Sequence, residues 1–325
     1  MKYKKRRFAA GECMHIYQRS VKGFNIFYDL EDYLVFYTIF SIVARQYRIT
    51  VLMLCIMINH VHILLSSMNL KAVSDFIMHY TSMFVREYNE DIGRKGRLFH
   101  KSFGSAPKKG SKSIRSAIVY IGNNPVEKDL CASAEQYAWN FLTFMGPDME
   151  PQVAVRSLSK KLQKAFKEVT DMRQKSAYLG YARLRRLFRN LSSDEKSLLV
   201  RHIIHEYFPF EKEILLSFYG SYDDMITAMR STSGSEYDIR EVYYPESDSV
   251  YQDMSSLVRK YAADPLMKKQ VRRVTTLTVD RKLEIAGLLR HHTAASLRQI
   301  ENFLNLSVDK RNVSSPEIGL PIVEQ

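Results

Sequence analysis

The chain has 325 residues, with 48 Lys and Arg against 35 Asp and Glu, giving a formal net charge of +13. That length has room for about two domains, and the basic excess points to a nucleic-acid partner. Cys13, Cys55 and Cys131 are far apart and form no Cys-x-x-Cys pair, which speaks against a zinc site and for reduced thiols in a cytoplasmic protein. No signal-peptide pattern and no run of membrane-spanning length is present, so no membrane partner is expected.

In chain order, the basic start Met1 to Arg7 reads as an arm touching DNA or as a disordered end. Ile49 to Met57 and Val61 to Leu65 then read as two strands joined by a tight turn near Ile58-Asn59. Period two puts His60 and His62 on one face, with Val61 and Ile63 on the other. Two imidazoles side by side can hold a divalent cation if a third ligand arrives from elsewhere. Two hydrogen-bonded histidines on a half-exposed strand explain an isolated His-x-His equally well.

Leu70 to Tyr88 is amphipathic, with Val73, Phe76, Ile77, Tyr80 and Phe84 as its apolar stripe, so it is expected to be core support that also carries His79. His15 has a route to the site from the first strand, but a structural histidine is the preferred expectation. From Arg94 to Arg115 the chain carries Arg94, Lys95, Arg97, Lys101, Lys108, Lys109, Lys112 and Arg115 with no acidic residue. Gly104, Pro107 and Gly110 predict a loop in its middle, and Phe99 and Phe103 offer faces for bases to stack on. A merely solvated basic loop is the plainer reading. The DNA-binding one is preferred because the segment leads into a helix that starts near Ser113 and is expected to stop at Pro125. Tyr120 and Asn124, four residues apart, share a face of that helix. A tyrosine, with its ordinary pKa of ~10, attacks a phosphodiester only if its proton is removed and the phosphate neutralised.

From Pro151 onward the pattern is helical, with the basic amphipathic stretches Lys160 to Phe166 and Leu184 to Arg189 as surface helices, and loops at Ser231 to Ser235 and Tyr243 to Ser249. His202 and His205 have helical spacing but no nearby ligand set. After the stretch Lys282 to Arg290, Ser296-Leu297-Arg298-Gln299-Ile300 through Ser307 resembles the first helix and turn of a helix-turn-helix, with a recognition helix expected from Ser307 through Arg311.

Several segments between Lys5 and Leu130 share a family pattern in order and spacing. Met57-Ile58-Asn59-His60-Val61-His62-Ile63-Leu64-Leu65 is close to a Met-Pro-Asn-His-Val-His-Leu-Leu signature, and Gly96-Arg97-Leu98-Phe99 to Gly-x-Leu-Phe. Tyr120-Ile121-Gly122-Asn123-Asn124-Pro125-Val126 is close to Tyr-Ile-x-x-Asn-Pro-Val, while Met14 to Arg19 looks like the first strand and Asp29 to Tyr47 like the first helix. The chain thus resembles the single-tyrosine HUH transposases, and among them the REP-associated tyrosine transposases.

The resemblance implies an α+β fold: a ferredoxin-like HUH nuclease domain with an antiparallel sheet, followed by a mostly helical region. It implies His60, His62 and Asn124 as ligands of a divalent metal, with Tyr120 as the nucleophile on single-stranded DNA bearing hairpins. The products would be a 5'-phosphotyrosine and a free 3'-hydroxyl, with no nucleotide cofactor. Imidazole and amide donors suit Mg2+ or Mn2+ and leave zinc open.

The chain departs from the pattern at Ile58, read as a harmless replacement of a turn-stiffening proline, at Gly122, where relatives often carry histidine, and at Lys101-Ser102-Phe103. The expected organisation is a transposase domain over 1–145, a basic helical region over 146–275, a candidate helix-turn-helix over 276–313 that meets duplex DNA, and a tail over 314–325. The protein is expected to be cytoplasmic and nucleoid-associated, a monomer or homodimer. Two other readings stay open: a DNA-binding regulator of the same fold without cleavage, and a metal-dependent hydrolase. The hydrolase ranks last, because the sequence flanking the histidines holds no carboxylate.

Overall fold

The computed structural model describes residues 10–100, 103–147, 158–231, 246–262 and 274–306. Lys101, the basic N-terminal arm, the expected recognition helix and the tail lie outside them. The first part runs β1 (Cys13–Arg19), α1 (Leu30–Gln46), β2 (Thr50–Ile56), β3 (His60–Ser66), α2 (Leu70–Ile92), β4 (Gly104–Lys108) and α3 (Gly110–Glu127). Spatially the strands lie in the order β2-β3-β1-β4, and every pairing is antiparallel. That is the ferredoxin-like split arrangement, so the expected α+β class holds.

Local chemistry sets the boundaries. A buried carboxylate opens α1: Asp32 accepts hydrogen bonds from the backbone N–H of Tyr28 (2.9 Å) and Asp29 (3.0 Å), and from the Tyr181 hydroxyl (2.9 Å). The Asn69 side chain caps α2, which ends on Gly93 in the left-handed region at φ +66°. Val73, Phe76, Ile77, Tyr80 and Phe84 are all buried, as the apolar stripe predicts.

Two expectations fail here. Gly104 to Lys108 is a strand, paired from Gly104 opposite Tyr17 to Lys108 opposite Cys13. β4 is an edge strand, so Pro107 forfeits no ladder bond on its open side. Gly104 fits because the Tyr17 ring fills the space a Cβ would need. Pro125 does not stop α3, which runs on to Glu127. Around the proline, the Asn123 amide donates to the Met229 carbonyl (2.8 Å) and the Asn140 amide to the Gly122 carbonyl (3.4 Å), which holds the last turn in place.

The helices α4 (Lys160–Gln174), α5 (Tyr181–Phe188), α6 (Ser193–Glu206), α7 (Lys212–Leu216) and α8 (Tyr222–Ser231) extend the first core, as the helical pattern anticipates. The Tyr37 hydroxyl donates to the Ile204 carbonyl (2.9 Å), and the Glu211 N–H donates to the Val51 carbonyl (2.9 Å), covering the β2 edge. His202 stacks flat on Phe166 at 4.0 Å between ring centroids, a packing role.

A second apolar cluster is formed by α9 (Val250–Ala262), α10 (Val279–His292) and α11 (Leu297–Leu304), and it includes Ile58 of the β2–β3 turn. Ile58 is therefore not a neutral exchange for proline: its side chain ties the C-terminal helices to the sheet. The Asn25 N–H donates to the Asn302 carbonyl (3.1 Å) and the Tyr28 hydroxyl to the Phe303 carbonyl (2.7 Å), so α11 is bonded directly to the β1–α1 connection. Among the described residues no helix is long and apolar enough to cross a membrane.

Candidate active site

Residues opposite one another in an antiparallel pair project to the same face. Tyr17 lies opposite His62 and His15 opposite Leu64, so His15, His60 and His62 share one face of the sheet. Gln18 points to the other face, where Tyr80 and Thr81 of α2 bond it. On the histidine face lies α3. Its Tyr120, 8 % exposed, packs edge-on against His62 (ring centroids 5.5 Å) and His15 (5.7 Å). One turn further along the helix, Asn124 Oδ1 lies 3.2 Å from His60 Nε2. The four residues of the motif therefore converge.

Their hydrogen bonds define what the histidines present. The Asn59 amide donates to the Gly23 carbonyl (3.2 Å), which turns Asn59 Oδ1 toward His60 Nδ1 at 2.7 Å. A neutral His60 donates from Nδ1 to that oxygen, so the Nε2 lone pair faces Asn124 Oδ1. Two electron-pair donors at this spacing suit a cation bound by both, since ligands at ~2.1 Å around an octahedral ion sit ~3 Å apart. His62 is fully buried, and that burial, with Arg19 adding repulsion, pushes its pKa down to about 3. It is a neutral imidazole at physiological pH, the form that binds metal. Its Nδ1 is 3.0 Å from His15 Nε2. When Nδ1 donates in this pair, Nε2 carries the lone pair.

The donor set thus fits a divalent ion held by two imidazoles and one amide oxygen. Among the described residues no group of three His, Cys, Asp or Glu side chains could hold a metal. His15, within reach of the site from the first strand but preferred as a structural histidine, bonds a candidate ligand in the fold. Its one available signal was its place in the strand that resembles the family's first.

The site opens into a cavity of about 350 Å³. His60, Tyr120 and Asn124 line it, together with Glu127, Asp248 and Arg298. Glu127 follows Tyr120 by seven residues on the same helix face. One of its carboxylate oxygens is buried without a hydrogen-bond partner, and burial pushes its pKa up to about 7. Carboxylates therefore line the same cavity as His60, brought from α3 and from just before α9 rather than from flanking sequence. The 120–124–127 spacing could have revealed Glu127; no local signal pointed to Asp248 or Arg298.

The basic segment divides. Arg94, Lys95 and Arg97 are exposed on the α2–β4 connection, where the Arg94 guanidinium donates to Asn89 Oδ1 (3.1 Å) and the Arg97 carbonyl (2.9 Å). Arg97, Phe103 and His100 line a second cavity of about 870 Å³, and His100 also borders the first, so the basic connection adjoins the site. Phe99, by contrast, is 3 % exposed and packed toward Phe84, so it offers no face for a base. Lys108 is buried at the end of β4, and Lys109 pairs with Glu12 at 3.4 Å. Lys112 is exposed, and Arg115 covers the Tyr219 ring at 4.8 Å, turned away from the Tyr120 face of α3.

Residues 15–124 match the family model described as "Transposase IS200 like". A solved structure of a REP-associated tyrosine transposase bound to a REP hairpin aligns at a TM-score of 0.39 and 14 % identity, covering 44 % of this chain and 84 % of that one. Among curated proteins none matches the chain. Over residues 15–124, which hold His60, His62, Tyr120 and Asn124, the chain is similar to the IS200-like transposases.

Proposed function

We propose that this protein is a transposase that cleaves and rejoins single-stranded DNA with Tyr120 as nucleophile, acting at hairpin-bearing sites. The observation that carries the reading is the convergence of Tyr120 with His62 and of Asn124 with His60, the last two 3.2 Å apart, beside a cavity lined by His60, Tyr120 and Asn124. The Tyr120 oxygen attacks the scissile phosphorus, an O–P bond forms, and the bond from phosphorus to the 3'-oxygen breaks. The proton lost by the phenol is balanced by one gained at the released 3'-oxygen. The reverse attack by a DNA 3'-hydroxyl reseals the strand, and because one ester replaces another no nucleotide cofactor is needed.

His60, His62 and Asn124 would hold Mg2+ or Mn2+, which supplies charge neutralisation at the phosphate oxygens. The chain's own residues do the rest. Asn59 and His15 fix the two rings, α3 sets the tyrosine against them, and Arg94, Lys95 and Arg97 offer a cationic approach for the backbone.

The test is a denaturing gel that detects a covalent protein–DNA complex, using single-stranded hairpin oligonucleotides from the flanks of the coding sequence, with Mg2+ or Mn2+ against EDTA. A metal-dependent adduct lost in Tyr120→Phe, with DNA binding retained, is the expected result. Tight binding without an adduct would instead favour a DNA-binding regulator, and an adduct persisting in Tyr120→Phe would move the nucleophile elsewhere.

A further inference from the structure

The cavity beside Tyr120 has a wall that no part of the matched segment supplies. Asp248, Tyr251, Arg298 and Asn302 come from the C-terminal helices and the turn before them, all beyond residue 124. At about 350 Å³ it falls at the lower end of small-ligand sites, ~300–1,000 Å³, which suits one nucleotide unit rather than a strand. Its charge is mixed. Arg19, Lys22, Lys128 and Arg298 suit phosphate, whereas Glu127, Glu246 and Asp248 repel it and suit an uncharged group rich in donors.

Asp248 is the informative member. It is 8 % exposed, and its backbone N–H donates to the Lys128 carbonyl at 3.0 Å. Among the described residues its carboxylate accepts no hydrogen bond. Burial drives its pKa up to about 6, against the pull of Lys128, so it is an ionised acceptor near neutral pH with little compensation from the protein. The side chain lines the cavity, so a donor on a ligand held there would meet this carboxylate. Beside it, Asn302 is bonded to Tyr251 and held against Gly23, whose positive φ of +79° lets the backbone pass close. Asp248 and Tyr251 are buried in this wall, Asn302 is half-buried, and Arg298 is exposed at its rim.

We propose that this cavity receives the nucleoside adjoining the scissile phosphate, and that Asp248 selects its base by accepting a hydrogen bond from an exocyclic amine, favouring cytosine, adenine or guanine over thymine. The placement beside the scissile phosphate rests on the single-tyrosine reading; the base preference itself does not. Asp248 is then a specificity-determining residue contributed by a region that the IS200-like match does not cover.

The experiment uses the full chain carrying Tyr120→Phe, so that cleavage plays no part, and compares by fluorescence anisotropy a thymidine decamer with decamers holding one central dC, dA or dG. At least one amine-bearing base should tighten binding about fivefold or more. Asp248→Ala should abolish that gain, so that all four decamers bind with the same affinity as one another. Asp248→Asn, which fills the same volume and whose amide offers donor or acceptor, should narrow the preference and serves if the alanine variant does not fold. Equal affinity for all four decamers, or a preference that survives both substitutions, overturns the proposal. The covalent-adduct gel decides the catalytic reading separately: preference without an adduct leaves the base pocket standing and removes the nuclease, and an adduct without preference does the opposite.

Discussion

Asn59 acts on His60 as His15 acts on His62: each bonds Nδ1 and thereby decides what Nε2 presents to Asn124 or to a cation. Partners of this kind typically carry ~10–100-fold in metal affinity or activity. His15→Ala is therefore expected to lower adduct yield by roughly that factor and to raise the Mn2+ concentration needed for half-maximal yield. A variant that needs no more Mn2+ than the parent would make His15 a packing residue only. The depressed pKa of His62 also has a sign for stability. The unfolded chain takes up this proton near pH ~6.5 and the folded one only near pH 3, so stability is full above ~6.5 and drains as pH falls toward 3. Denaturant midpoints across that window should fall for the parent and fall less for His62→Gln. Equal slopes would remove His62 as the cause.

At the level of elements, the two faces of α3 have different surroundings. Tyr120, Asn124 and Glu127 face the cavity, while Gly122 is turned to α8, where an added Cβ would lie 2.7 Å from Met229 Cε and 2.8 Å from its Sδ. A histidine at this position meets Met229 at its first side-chain atom. Gly122→Ala should be tolerated because the end of Met229 can swing aside. Gly122→His should cost ~1–3 kcal/mol of stability, read as a lower melting temperature. An unchanged melting temperature would mean that α8 is not packed as seen. The edge strand β4 shows the limit of local reading. Gly104, Pro107 and the lysines look like a loop in isolation, yet the open edge of β1 accepts them because pairing on one side needs no donor from the proline.

Across the whole molecule, the C-terminal helices are fastened to the transposase-like part through Ile58, α11 and the Asn25–Asn302 bond. Ile58→Ala is expected to cost ~2–5 kcal/mol in the second apolar cluster. It should speed proteolysis within residues 246–306 more than within the sheet, measured as fragment appearance over time. Uniform proteolysis of both parts would show that Ile58 does not act as the fastener.

The sequence by itself determined the strands and helices whose apolar period is strong. The two strands around the His-x-His, the 70–88 stripe and the Tyr120–Asn124 face lie where their spacing put them, because period and burial are local facts written in residue order. Only the tertiary structure decided the rest. Phe99 became core instead of a stacking platform, because α2 covers it. Pro125 stayed within a helix, because side chains from other elements hold its turn. Asp248 and Arg298 reached the Tyr120 cavity from more than a hundred residues away. Such contacts depend on which surfaces meet after folding, and no local pattern in the chain encodes that meeting.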